Sequence, residues 1–153
     1  MSLSAWEPTE PGGLSLVGGG VRSGKSRFAL DLARSRSGRR AFVATAEPFD
    51  DEMRSRIDRH VVERGGDFFT IEAGYALEDA IGALRGNADV VVVDCLTLWI
   101  SNLLVSGLEG PRIEARVSDL ARLLEEGPFS SIVVTNEVGM GIVPRDGTRK
   151  ALP

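Results

Sequence analysis

Gly19-Gly20-Val21-Arg22-Ser23-Gly24-Lys25-Ser26 stands between an apolar run, Leu14 to Val17, and a helical stretch that opens at Gly24 and carries Phe28, Leu30, Leu32 and Ala33. This is the pattern G-x-x-x-x-G-K-[ST] in the strand-to-helix setting that a phosphate-binding loop requires. Glycines let successive backbone N–H groups turn inward around phosphate oxygens, and the helix that follows aims its positive end at them. Lys25 then reaches the β- and γ-phosphates, and Ser26 holds Mg²⁺. The alternative is a glycine-rich turn ahead of an amphipathic helix. Lysine is scarce, at Lys25 and Lys150 alone among 18 basic residues, so the place of each one is informative.

Outward from the loop, short apolar runs alternate with segments of helical period, the mark of βαβ units and a mainly parallel sheet with helices on both faces. After Leu14 to Val17 the runs are Ala41 to Thr45, Phe68 to Ile71, Val90 to Val93 and Ser131 to Thr135. Helices are expected over Asp50 to Arg64, Ala76 to Arg85, Leu96 to Val105 and Ile113 to Glu126. In the first of these Met53, Ile57 and Val61 recur every four residues and predict one buried stripe. The four consecutive valines, Val90 to Val93, predict a strand covered on both faces at the centre of the sheet. Asp94 follows them directly. A phosphate loop takes a second acid from the end of a neighbouring strand to hold the metal through water, and Asp94 is placed for that role; its alternative is a helix N-cap before Leu96. There is no N-K-x-D motif to read guanine, so these residues give an α/β P-loop NTPase fold and a nucleotide-binding phosphotransferase or NTPase with the base open.

The 153 residues are 42% hydrophobic and 26% charged with a formal net charge of −4, values of one ordinary globular domain. One cysteine, Cys95, and one histidine, His60, exclude both an intramolecular disulfide and a Cys/His zinc site, and point to a reducing, cytoplasmic setting. A mildly acidic chain is a poor partner for nucleic acid. Residues 1–13 read as a disordered lead and residues 14–153 as a single domain. No apolar run is long enough for a membrane span. His60 lies three residues after Ile57, at the border of the expected stripe, with Arg64 one turn further on the same face. Alone it is a packing residue or a catalyst. A neighbouring cation favours the neutral, nucleophilic imidazole and attracts phosphate oxygens.

Taken together, GGGVRSGKS at Gly18 to Ser26, VATAEPFDDEMRSRIDRH at Val43 to His60, DCLTLWISNLL at Asp94 to Leu104 and TNEVGMGIVP at Thr135 to Pro144 resemble the bifunctional adenosylcobinamide kinase and adenosylcobinamide-phosphate guanylyltransferase family of coenzyme B12 assembly. The resemblance implies a RecA-like fold and one nucleotide site serving two reactions. The corrinoid's aminopropanol hydroxyl is phosphorylated by ATP or GTP, and GMP then passes from GTP to that phosphate through a guanylylated histidine, the position of His60. It also implies nucleotide contacts at Gly19 to Ser26, at Ala44, Thr45 and Ala46, at Val61, Val62, Glu63 and Arg64, at Glu72, and at Asp94, where many members carry Glu. Homo-oligomers with sites near subunit boundaries are a further implication. Trp99, Leu103 and Leu104 are expected in the core or a subunit contact rather than in the site. After Pro144 the family continues with an Arg-rich helix and a last apolar strand, which Arg145 to Pro153 do not resemble. Two other readings compete: a P-loop kinase acting on another small alcohol, and a catalytically silent nucleotide-binding subunit.

Overall fold

The computed structural model of the chain describes residues 13–20 and 24–136. The expectations for the lead, for Val21, Arg22 and Ser23, and for the segment from residue 137 onward therefore lie outside the described residues. The described elements run in the order β1 (Leu14–Gly19), α1 (Lys25–Arg34), β2 (Arg40–Ala44), α2 (Asp51–Arg64), a 3₁₀ turn (Gly65–Asp67), β3 (Phe69–Glu72), α3 (Leu77–Ala83), β4 (Val90–Asp94), α4 (Leu96–Val105), α5 (Gly110–Glu126) and β5 (Ser130–Asn136). All strand pairs are parallel, in the order β1-β5-β4-β2-β3.

The valine run is the middle strand, as its composition requires. Successive side chains on a strand point to opposite faces, so the four valines feed two cores. Val91 and Val93 join Ala41, Val43, Leu77, Ile81, Trp99, Leu103, Leu120 and Leu124 under α3, α4 and α5. Val90 and Val92 join Phe42, Ile132, Val134, Ala29, Leu32 and Ala33 under α1. Trp99 and Leu103 are core residues, as expected, whereas Leu104 is 57% exposed.

Helix starts follow local chemistry. Gly24 precedes α1 with φ of 81°, a left-handed conformation that suits glycine. The Asp50 carboxylate accepts from the Met53 N–H at 2.7 Å to cap α2, and Asp51 and Glu52 complement the dipole of its first turn. Cys95, not Asp94, caps α4, its Sγ accepting from the Leu98 N–H at 3.4 Å. That frees the Asp94 carboxylate for other work.

One expectation fails in α2. Of Met53, Ile57 and Val61 only Ile57 is buried. The reason is visible one turn beyond Val61, where the Arg64 guanidinium lies 3.6 Å from the centre of the Phe42 ring. A stacked cation covers the sheet where an aliphatic stripe residue would have done so, and α2 stands beside α1 with a cleft between them.

Candidate functional site

The carboxyl ends of the parallel strands gather the site. Ala44 of β2 sits in register with Glu72 of β3 on one side and with Asp94 of β4 on the other. The three therefore form a row across the sheet's edge, where open α/β sheets bind ligands. α1 starts at the same edge after β1 and brings Ser26 to this row. The Ser26 hydroxyl donates to Asp94 Oδ2 at 2.9 Å, joining residues 68 apart in sequence. Lys25 Nζ donates to the Gly20 carbonyl at 3.1 Å across the loop.

Asp94 is held by the backbone on both sides. The Thr45 N–H donates to the Asp94 carbonyl at 3.1 Å. The Thr45 hydroxyl, fully buried, donates to the Cys95 carbonyl at 2.8 Å and accepts from the Cys95 N–H at 2.9 Å. Asn102, also buried, donates from Nδ2 to the carbonyls of Thr45 and Gly74 at 2.9 and 3.0 Å, tying the ends of β2 and β3 to α4. Thr97 accepts from the Asn136 N–H at 3.0 Å and fixes the end of β5. The expected contact residue Thr45 is thus committed through its side chain to the Asp94–Cys95 turn. Ala44 is buried beside it, and Ala46 faces a small cavity.

A cleft of about 410 Å³ opens between α1 and α2, lined by Ser26, Arg27, Leu30, Asp31, Arg34, Phe42, His60, Glu63, Arg64 and Asp94. A second hollow of about 190 Å³ shares Phe42, His60, Arg64 and Asp94 with it and reaches Ala46, Ile57 and Cys95. Ser26, Asp94 and His60, widely separated in sequence, therefore border one space. His60 is exposed at the wall of that space, and Val62 points to solvent at 77% exposure. Glu63 lines the cleft and Val61 is half-buried on the helix behind it.

Arg64 lines the cleft together with Arg27 and Arg34. It donates from one terminal nitrogen to the Thr70 hydroxyl at 3.0 Å, while its buried Nε has no hydrogen-bond partner among the described residues. Burial pulls the guanidinium below its ordinary pKa and the Asp94 carboxylate opposes that shift. It stays a cation near neutrality, since an arginine starts far above that range. A buried, partly unsatisfied donor beside a cavity is a mark of a ligand site. Glu72 is engaged elsewhere: Arg54 on α2 grips both its oxygens at 2.8 Å and donates to Asp58 at 3.2 Å. The hydrogen bond from Arg54 holds the Glu72 carboxyl below the usual carboxylate range against the opposing effect of burial. At Cys95, burial pushes the thiol up, away from the thiolate a nucleophile needs.

Ser26 and Asp94 offer hard oxygen donors in mutual contact, the chemistry Mg²⁺ prefers. Among the described residues no group of three His, Cys, Asp or Glu side chains stands together as a metal cage. The donor set fits an ion that keeps water and phosphate ligands. Sequence reasoning missed Arg54, Phe42, Arg27 and Arg34. None of the four stands in a spacing that marks a site: the pairing of distant segments brings Phe42, Arg27 and Arg34 to the cleft, while Arg54 lies outside its lining and grips Glu72.

Comparison with known proteins places the chain in a family. Residues 15–151 match the model of the family described as cobinamide kinase / cobinamide phosphate guanyltransferase. The bifunctional adenosylcobalamin biosynthesis protein CobP of Pseudomonas aeruginosa is 38% identical over 129 residues, covering 84% of this chain and 74% of that protein. The Escherichia coli protein CobU, likewise named as a bifunctional adenosylcobalamin biosynthesis protein, is 37% identical over 141 residues, covering 84% and 77%. Among solved structures, the RadB recombinase superposes with a TM-score of 0.55 at 24% identity, covering 82% of this chain and 62% of its own. A KaiC-like protein of Pyrococcus horikoshii gives 0.55 at 20% identity with the same coverage. These two likenesses speak for a RecA-like P-loop fold. Among the described residues no helix is long and apolar enough to cross a membrane.

Proposed function

The chain belongs to the cobinamide kinase / cobinamide phosphate guanyltransferase family, and on that premise we propose that it phosphorylates adenosylcobinamide with ATP or GTP and then transfers GMP from GTP to adenosylcobinamide phosphate through a guanylylated His60. The observation that carries this reading is the single cleft bordered by Ser26, Asp94 and His60.

In the first reaction the ammonium of Lys25 and the loop amides draw the β- and γ-phosphates into line. Preorganised charge and position are most of what phosphoryl transfer asks of a protein. Ser26 and Asp94 would hold Mg²⁺, which when bound would neutralise charge developing on the phosphate oxygens. In the second reaction a ring nitrogen of His60 forms a bond to the α-phosphorus of GTP as the bond to the bridging oxygen breaks and pyrophosphate departs. An oxygen of the corrinoid phosphate then attacks the same phosphorus, the N–P bond breaks, and the imidazole is regenerated. Arg64, one helical turn from His60 and lining the same cleft, supplies a cation toward the phosphoryl oxygens. Cys95 is the other potential nucleophile lining the smaller hollow, and its buried thiol is disfavoured as a thiolate. Nucleotide contacts at Gly19, Gly20, Gly24, Ala46 and Glu63 complete the site, together with contacts from Val21, Arg22 and Ser23 as the family resemblance implies. Ala44, Thr45 and Val61 support it from behind, Val62 faces solvent, and the active form is a homo-oligomer.

Purified protein incubated with Mg-ATP and adenosylcobinamide, then with GTP, is expected to give adenosylcobinamide phosphate followed by adenosylcobinamide-GDP on chromatography. Phosphorylation of a simple amino alcohol but not of the corrinoid would move the reading to a kinase for another small alcohol. Tight nucleotide binding with no turnover would make the chain a silent binding subunit.

A further inference from the structure

We propose that Arg54 is the positioning residue for His60, acting by fastening α2 to the end of β3 through Glu72; the proposal rests on the reading of His60 as the guanylylated residue. α2 is weakly held for a helix that carries a nucleophile, since Ile57 is its one buried residue. Its C-terminal end is anchored. Arg34 donates to the Arg64 carbonyl at 3.2 Å, and Arg64 itself reaches Thr70 and stacks on Phe42. Its N-terminal half has the Arg54 fork instead, with two parallel bonds of 2.8 Å to Glu72 and a third, at 3.2 Å, to Asp58 on the next turn. His60 lies between the two anchors, about 9 Å along the axis from Arg54 at the usual helical rise.

Glu72 is a well-placed post for such a fork. It occupies the row with Ala44 and Asp94 at the sheet's edge, so the same strand ends that place Asp94 also locate α2. Both its oxygens are taken, and Arg54 is itself oriented by Asp58, which fixes the direction of the fork as well as its length. Bidentate pairing sets geometry in a way a point charge does not. Removal of the fork takes away the side-chain hydrogen bonds that tie the N-terminal half of α2 to β3, leaving the packing of Ile57 and the half-buried Met53. The imidazole can then leave the line of attack, and a misplacement of about 1 Å costs on the order of 100-fold in a reaction that depends on aligned atoms. Exposed pairs contribute little to global stability, so the chain remains folded without this one and the loss is confined to the step that uses α2.

The test compares Arg54→Ala and Arg54→Lys with wild type in two readouts. The first is the rate of covalent labelling by GTP carrying label on the α-phosphate, at saturating GTP, with corrinoid phosphorylation by the same preparation as internal reference. Arg54→Ala is expected to lower the ratio of labelling to phosphorylation by about tenfold or more, on the scale set by misalignment. The GTP concentration for half-saturation should stay within about twofold, and Arg54→Lys, with its charge but no fork, should fall between. The second readout is the imidazole NMR signal, which in this chain reports one residue because His60 is its single histidine. That signal is expected to broaden through μs–ms exchange in Arg54→Ala and to recover in part with lysine. An unchanged maximal labelling rate overturns the proposal, as does an effect confined to the half-saturating GTP concentration. The latter would make Arg54 a residue that tunes nucleotide binding through Glu72. If wild type phosphorylates the corrinoid but never labels, the reading of His60 as nucleophile fails. The imidazole signal then decides separately, and an unchanged signal in Arg54→Ala overturns the positioning role.

Discussion

Replacing Thr45 with valine removes one oxygen and keeps the shape, and the structure says what that oxygen holds. The hydroxyl is buried, gives a bond of 2.8 Å to the Cys95 carbonyl and takes one of 2.9 Å from the Cys95 N–H. The carbonyl keeps a second partner, the Trp99 N–H at 3.3 Å. Among the described residues the Cys95 N–H makes no other hydrogen bond, so the substitution strands a buried donor, which costs about 1–3 kcal/mol, and loses a net bond of about 0.5–1.5 kcal/mol at the carbonyl. The sum, about 2–4 kcal/mol, is a large part of a typical domain's stability of about 5–15 kcal/mol. At about 2–4 °C per kcal/mol for a chain of this size, the melting temperature should fall by about 5–15 °C. Thr45→Ser keeps the oxygen and should lose much less. Urea melts followed by far-ultraviolet circular dichroism, with the slope against denaturant checked for constancy, measure both variants. A Thr45→Val protein within about 0.5 kcal/mol of wild type, the range of an ordinary surface change, would refute the claim that this hydroxyl holds the Asp94–Cys95 turn.

Two further outcomes test other parts of the account. Lys25→Arg substitutes a planar fork for a compact ammonium in the phosphate loop. Both activities should fall by at least about 100-fold in steady-state assays with Mg-ATP and Mg-GTP, the scale of a lost preorganised charge contact. Glu72→Gln should destabilise in a pH-dependent way, because Arg54 lowers the folded pKa of Glu72. The pair's contribution is present above the unfolded value of about 4.3 and is lost as pH falls through the depressed folded value. The difference in melting temperature between wild type and Glu72→Gln should therefore be flat from pH 8 to 6 and vanish in stronger acid. It should stay small, since an exposed pair contributes about 1 kcal/mol or less.

Much of the architecture is legible in the sequence because the relevant signals are local. A run of four valines can only be a strand buried on both faces, and it became the middle strand. Lys25 and Ser26 are marked by the spacing of a phosphate loop and Asp94 by its place after a buried strand, and the structure brings Ser26 and Asp94 into contact at 2.9 Å. Boundaries slipped where end residues are polar or small: β1 runs on through Gly18 and Gly19, and α5 begins at Gly110 with Pro111 in its first turn. The insertion of β5 between β1 and β4 carries no local signature at all. The stripe on α2 misled because periodicity cannot tell that a stacked arginine, rather than an aliphatic, covers Phe42. The Arg54–Glu72 fork joins residues 18 apart on a helix and a strand, and no one-dimensional pattern relates them.

The central claim is that one cleft performs two chemistries and that in the second His60 carries GMP from GTP to adenosylcobinamide phosphate. Its most direct test is to incubate wild type and His60→Ala with GTP labelled at the α-phosphate, quench, and locate the label by peptide mapping, while assaying corrinoid phosphorylation in parallel. The account predicts acid-labile label on the peptide holding His60, chased onto adenosylcobinamide phosphate when that acceptor is added. It predicts no label on His60→Ala, which should still phosphorylate adenosylcobinamide. Label that persists on His60→Ala, or that maps to another residue, would contradict it.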